Sequence, residues 1–87
     1  MQRKMNKVFT DLAWEDYLYW KQTDKQIFRR INQLIKDIVR NGNEGLGKPE
    51  PLRHELQGLW SRRINAKHRL VYAIQGENIC IVQCRYH

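Results

Sequence analysis

Eighty-seven residues, 41% of them hydrophobic, are enough for one domain (1–87) around one modest core. No apolar run approaches the roughly 20 residues of a membrane span. The basic start MQRKMNKV is not followed by the apolar stretch of a secretory signal, so the expected location is cytoplasmic. Sixteen Lys and Arg against nine Asp and Glu give a net charge of +7, which suits a polyanionic partner, whether nucleic acid or acidic protein.

In chain order, MNKVF (5–9) reads as a short strand. Thr10 and Asp11 then offer an N-cap for a helix to about Gln22, with Leu12, Ala13, Tyr17 and Trp20 at helical spacing. Thr23 and Asp24 open a second helix through Arg40. Its residues Ile27, Ile31, Leu34, Ile35 and Ile38 form the stripe of a helix laid on a core, and Asn41-Gly42 stops it. Residues 42–58 are punctuated by Gly and Pro and read as a loop, long enough to be functional. Three strands follow, at 59–64, 68–75 and 78–86, joined by connections short enough for antiparallel hairpins. The order βααβββ predicts an α+β fold, a small antiparallel sheet with both helices on one face.

Strand alternation sorts the side chains. Leu70, Tyr72 and Ile74 share one face of their strand. In the last strand Cys80, Val82, Cys84 and Tyr86 share one face, with Ile79, Ile81, Gln83, Arg85 and His87 opposite. If the helices cover the Leu70/Cys80 side, Arg69, Arg85 and His87 converge on the uncovered one. Cys80 and Cys84 would stand about 13 Å apart on one face, too far for a disulfide, and are expected as buried thiols. With His54, His68 and His87 they match no zinc spacing, so no metal or other cofactor is expected.

Cutting RNA without metal needs a base for the ribose 2′-OH, a cation for the phosphorane charge and an acid for the leaving 5′-oxygen. Glu50, held between Pro49 and Pro51, is a candidate base, and His87 a candidate acid. Arg62, Arg63 and Arg69 flank the first hairpin and are candidates for a bidentate phosphate clamp, or equally for edge-guarding strand residues. Arg53, Arg85 and Lys48 add candidate phosphate contacts. Trp60 is a candidate base-stacking residue, whereas Tyr72 is better suited to the core. The helix aromatics Trp14, Tyr17, Tyr19 and Trp20 suit a core or an interface, and His54 and His68 suit positioning or structural roles.

The blocks WEDYLYW (14–20), INQLIKDI (31–38), GKPEPLRHELQGLWSRRI (47–64), HRLVYA (68–73) and CRYH (84–87) together closely resemble the Txe/YoeB family of bacterial toxins. The resemblance runs from about Met5 to His87. It implies a microbial-ribonuclease-like α+β fold and a RelE-like endonuclease acting on mRNA in the A site of the 70S ribosome, held inactive by a YefM/Axe-type antitoxin. Carried over by motif, the general base falls on Glu50, the transition-state arginine on Arg69 and the general acid on His87. Arg63 and Arg53 match basic positions implicated in contact with phosphate or ribosomal RNA. Family sequences commonly end in His-Tyr, whereas this chain stops at His87, so the expectation is cleavage that persists but is weakened.

Two other functions compete. A ParE-like toxin that binds gyrase shares the scaffold but lacks the Glu and terminal His pairing. A plain basic RNA-binding module would need neither residue. The helix aromatics leave room for a homodimer.

Overall fold

The computed structural model describes residues 4–86. A first strand, β1 (Asn6–Phe9), leads into two helices, α1 (Asp11–Thr23) and α2 (Lys25–Asn41). Strands β2 (Glu50–Pro51), β3 (Trp60–Arg63), β4 (Arg69–Gln75) and β5 (Asn78–Gln83) follow, with a 3-10 turn at His54–Leu56.

Local chemistry sets the helix ends. The Thr10 hydroxyl accepts the Ala13 N–H at 3.0 Å, capping α1, and donates to the Val82 carbonyl at 2.9 Å, tying that cap to β5. Asp24 serves both helices. Its N–H bonds the Trp20 carbonyl to close α1, while its carboxylate accepts the Gln26 and Ile27 N–H groups to open α2. At Gly42 the chain turns into the left-handed region and α2 stops, as the Asn-Gly pair predicts.

The five strands lie in the order β1-β5-β4-β3-β2. The α+β expectation holds, but the sheet is mixed. The three expected strands form antiparallel pairs, whereas β1 returns to the far edge and pairs parallel with β5. Within the expected loop, Glu50 and Pro51 pair with Ser61 and Trp60 as a two-residue fifth strand. That strand is too short and too rich in proline for periodicity to reveal.

Both helices cover one face of the sheet. Ile31, Leu34 and Ile38 of α2 and Ala13 and Trp20 of α1 pack with Leu70, Tyr72, Ile79 and Ile81 in one core. Each fully buried Leu or Ile in it contributes about 1.5–3 kcal/mol. Here the predicted alternation of the last strand is corrected. Tyr72 pairs with Ile81 but Val71 pairs with Gln83, so Val82 is an extra residue, a β-bulge. The helix side therefore takes Ile79, Ile81 and then Cys84. Cys80 sits on the other side, half-buried, so the two thiols do not share a face.

The largest fully buried side chain is charged. Arg62 points from β3 into the helix side, and its guanidinium donates to Asp37 Oδ2 (2.5 Å), Leu46 O (3.0 Å), Gly42 O (2.7 Å), Glu44 O (2.8 Å) and the Tyr72 hydroxyl (3.2 Å). Every N–H direction of the guanidinium is thus used. Asp37 also accepts from Leu46 N–H and the Asn41 amide. Burial alone would push the Asp37 carboxyl up, but these hydrogen bonds and the Arg62 charge hold it below its ordinary 3.8.

Removing one partner of such a pair leaves the other charge buried and uncompensated. Asp37→Ala should therefore cost about 3–5 kcal/mol in urea denaturation. Because the folded Asp37 titrates below its unfolded value, its contribution is complete above about pH 4 and is lost as pH falls through the folded value. The stability gap between wild type and Asp37→Ala should accordingly narrow below pH 4.

Candidate active site

On the face of the sheet away from the helices, pairing sets the register of the candidate residues. Glu50 lies opposite Ser61, Ser61 opposite Val71 and Arg63 opposite Arg69, and directly paired residues project to the same side. Glu50, Arg63 and Arg69 therefore share the helix-free face. From strand spacing and rise, Glu50 Cα stands about 8 Å from that of Arg63 and about 12 Å from that of Arg69.

Glu50 is exposed at the end of a tight approach, GLGKP. Gly47 has φ 78°, and a Cβ there would meet Leu34 at 2.9 Å and the Arg63 carbonyl at 3.0 Å. The Gly47 carbonyl accepts the Arg63 N–H at 2.6 Å. Lys48 follows, exposed and with φ 50°.

Arg69 is half-buried, and its guanidinium leans over the β3–β4 turn. Its Nη1 donates to the carbonyls of Asn65 (2.7 Å), His68 (3.1 Å) and Ala66 (3.4 Å). The turn itself is pinned by the Asn65 side chain, which accepts the N–H groups of Lys67 and His68. The Nε and Nη2 edge of Arg69 has no hydrogen-bond partner among the described residues, which leaves a fork suited to two oxygens of one phosphate.

Among the described residues, four hydrogen bonds to backbone groups of Cys84 and Tyr86 hold the C-terminal segment beside Arg69. The indole N–H of Trp20 donates to the Cys84 carbonyl (2.8 Å), and the Cys84 N–H donates to the buried Asp16 carboxylate (3.1 Å). The Tyr86 N–H donates to His68 Nδ1 (2.8 Å), and the Arg69 N–H donates to the Tyr86 carbonyl (2.9 Å). Tyr86 is thereby fixed with φ 63° at the foot of β4. His87, the expected acid, lies outside the described residues.

The remaining expectations divide. Arg53 and Lys48 are exposed near Glu50 and available to an anion. Arg62 is not: it is fully buried in the Asp37 pair and cannot touch RNA, because β3 alternates and sends it to the side opposite Arg63. Arg85 does not join Arg69 on the helix-free face. Its guanidinium lies 3.8 Å from the Tyr19 ring centroid, over α1, because the bulge and the bend after Gln83 end the simple alternation. Trp60, opposite Tyr72, is half-buried against the core and so serves packing.

Sequence reasoning missed Asp37, Asp16 and the binding role of the Tyr72 hydroxyl. Asp16 stands at helical spacing with the buried Ala13 and Trp20, and Asp37 sits at the edge of the Leu34/Ile38 stripe. A carboxylate on a buried stripe signals a buried donor elsewhere in the chain.

Residues 9–87 match the model of the YoeB-like toxins of bacterial type II toxin–antitoxin systems. The chain belongs to that family. It is 54% identical to the toxin YoeB of Escherichia coli K12 over 83 residues, covering 95% of this chain and 99% of that one. Among solved structures, the Staphylococcus aureus YoeB dimer aligns with a TM-score of 0.92 at 49% identity, covering 97% of this chain and 98% of that one. The YoeB of the S. aureus YoeB–YefM complex aligns with a TM-score of 0.91 at 49% identity, covering 95% and 97%. The chain is thus a type II system toxin, and the resemblance carried by its motifs is confirmed.

The tether also fixes a thiol. Burial, with the Asp16 carboxylate beside it, pushes Cys84 up to about 12. At pH 8 the thiol therefore stays protonated, and the side chain is fully buried. Iodoacetamide on the native protein at pH 8 should modify Cys80 alone, with Cys84 reacting only after denaturation, as peptide mass mapping would read.

Proposed function

We propose that this toxin is a ribosome-dependent endoribonuclease of the cytoplasm, cutting mRNA in the ribosomal A site by metal-independent acid–base catalysis. The observation that carries this reading is the strand register, which sets Glu50, Arg63 and Arg69 on one helix-free face. Glu50 takes the proton of the ribose 2′-OH, whose oxygen attacks the adjacent phosphorus. The free fork of Arg69 holds the negative charge gathering on the phosphorane oxygens. His87 gives a proton to the 5′-oxygen as the P–O5′ bond breaks. The products are a 2′,3′-cyclic phosphate, or the 3′-phosphate it hydrolyses to, and a 5′-OH.

The tether of Tyr86 to Arg69 and His68 supports this role for His87, since it fixes the preceding residue beside the phosphate-binding edge. Arg63, Arg53 and Lys48 form a basic rim for ribosomal RNA. A site with few base-reading groups gains its reactive geometry from the decoding centre, so free RNA is a poor substrate.

The S. aureus complex and the basic surface support a YefM/Axe-type antitoxin as the partner, with an acidic segment laid over the helix-free face. The S. aureus dimer, with Leu12, Trp14, Leu18 and Tyr19 exposed on α1, supports a homodimer.

Mapping of 5′ ends on mRNA programmed into 70S ribosomes tests the reading. Wild type should give a single cut within the A-site codon, bearing a 5′-OH. Glu50→Ala and His87→Ala should each slow it by about 100-fold or more while still binding ribosomes. Ribosome binding with no cut by wild type would overturn the assignment. Arg63→Ala should weaken ribosome binding and reduce its log–log salt slope by about 1, as expected for one lost phosphate contact.

A further inference from the structure

Glu50 belongs to a strand too short to hold itself. Its ladder is two residues long, Pro51 has no N–H to give, and Pro49 precedes it. On the far side the chain is fastened by the Leu52 N–H to the Leu59 carbonyl at 2.9 Å. On the near side the Gly47 carbonyl accepts the Arg63 N–H, and the turn before it is gripped by the buried guanidinium of Arg62.

Three carbonyls of the 42–46 turn, those of Gly42, Glu44 and Leu46, converge on that one group. Asp37, ion-paired to it, takes the Leu46 N–H. Tyr72 accepts from Arg62 Nε and its hydroxyl donates to Asn43 Oδ1 at 3.0 Å, so a fourth residue of the turn joins the same centre. Gly45 must be glycine here, since with φ 114° a Cβ would lie 2.1 Å from Asp37 Oδ2. From this turn the chain runs through Gly47, whose carbonyl holds the Arg63 N–H, directly to Lys48, Pro49 and Glu50.

We propose that Arg62 is a positioning residue for the cleavage reaction: from the buried side of β3 it holds the 42–47 segment and so sets where Glu50 stands relative to Arg63 and Arg69. It touches no substrate. The inference rests on the proposed ribonuclease reading, but its geometry is readable without activity. Neighbouring residues of one strand divide the work, with Arg62 gripping the segment from within and Arg63 and Ser61 meeting it through the backbone.

The test is Arg62→Lys, which keeps a cation but cannot reach five acceptors. Two readouts are taken on protein that is native by circular dichroism and cooperative melting. Amide hydrogen exchange should show the Leu46 and Arg63 N–H groups losing protection by at least about tenfold, while the β4–β5 amides keep theirs. Cleavage on programmed ribosomes should show kcat reduced by about 100-fold with KM unchanged, as a displaced base predicts. A merely structural role would lower the melting temperature and leave kcat of the folded variant intact.

A folded Arg62→Lys that cuts within threefold of wild type overturns the proposal, as does a loss confined to KM. If Arg62→Lys does not fold, Tyr72→Phe removes only the hydroxyl linking Arg62 to Asn43. It should lower kcat by about tenfold with KM unchanged, and wild-type kcat there overturns the proposal. If wild type itself cuts nothing, the ribonuclease reading falls on its own account. The exchange data on Arg62→Lys, or on Tyr72→Phe where that alone folds, then judge the positioning separately, and wild-type protection of the Leu46 and Arg63 amides overturns it.

Discussion

A buried arginine organises this small protein. Arg62 and Asp37 bring a guanidinium and a carboxylate into the helix side of the sheet, where an unpaired charge would cost several kcal/mol. The surroundings supply the missing partners from backbone carbonyls, and those carbonyls belong to the segment between α2 and β2. A need to satisfy five donors thus gives shape to a stretch whose glycines and prolines provide neither helix nor ladder. Replacing the pair with apolar side chains of similar volume could suit the core equally well. It would leave the carbonyls of Gly42, Glu44 and Leu46 without their shared donor.

A second network works on the opposite side of Arg69. Asp16, Trp20 and His68 each spend a side-chain hydrogen bond on the backbone of residues 84–86. Residues 84–86 are thereby held in place although they belong to no strand, with Cys84 buried and Tyr86 exposed. Both networks combine helix side chains, Asp37 in one and Asp16 and Trp20 in the other, with side chains of the sheet and its turns, and hold residues that border the uncovered face.

Much of this was legible in the sequence. The two helices with their caps at Thr10 and Asp24, the three consecutive strands and the α+β class follow from periodicity and end signals. The proline-flanked Glu50 and the arginines of WSRRI and HRLVY stand out as chemistry. Three things were hidden for physical reasons. A parallel pairing between the first and last strands has no local signal. A β-bulge at Val82 changes the face of everything after it, and nothing in the residues NICIVQCRY marks where it falls. Arginines 62 and 63 look alike, and only the strand's alternation, read together with Asp37 on another element, says that one is a core residue and the other a surface one.

The parallel edge carries a consequence for how the molecule comes into being. Asn6 pairs with Asn78 and Phe9 with Ile81, so the first strand of the chain waits for nearly the last to be made. Contacts that distant close late, after the local helices and hairpins. Synthesis runs at about 5–20 residues per second, so the N-terminal segment spends seconds without its partner. The tethers on residues 84–86 are later still. The face beside Arg69 therefore stays unfinished until residues 84–86 have left the ribosome, however early the helices have formed.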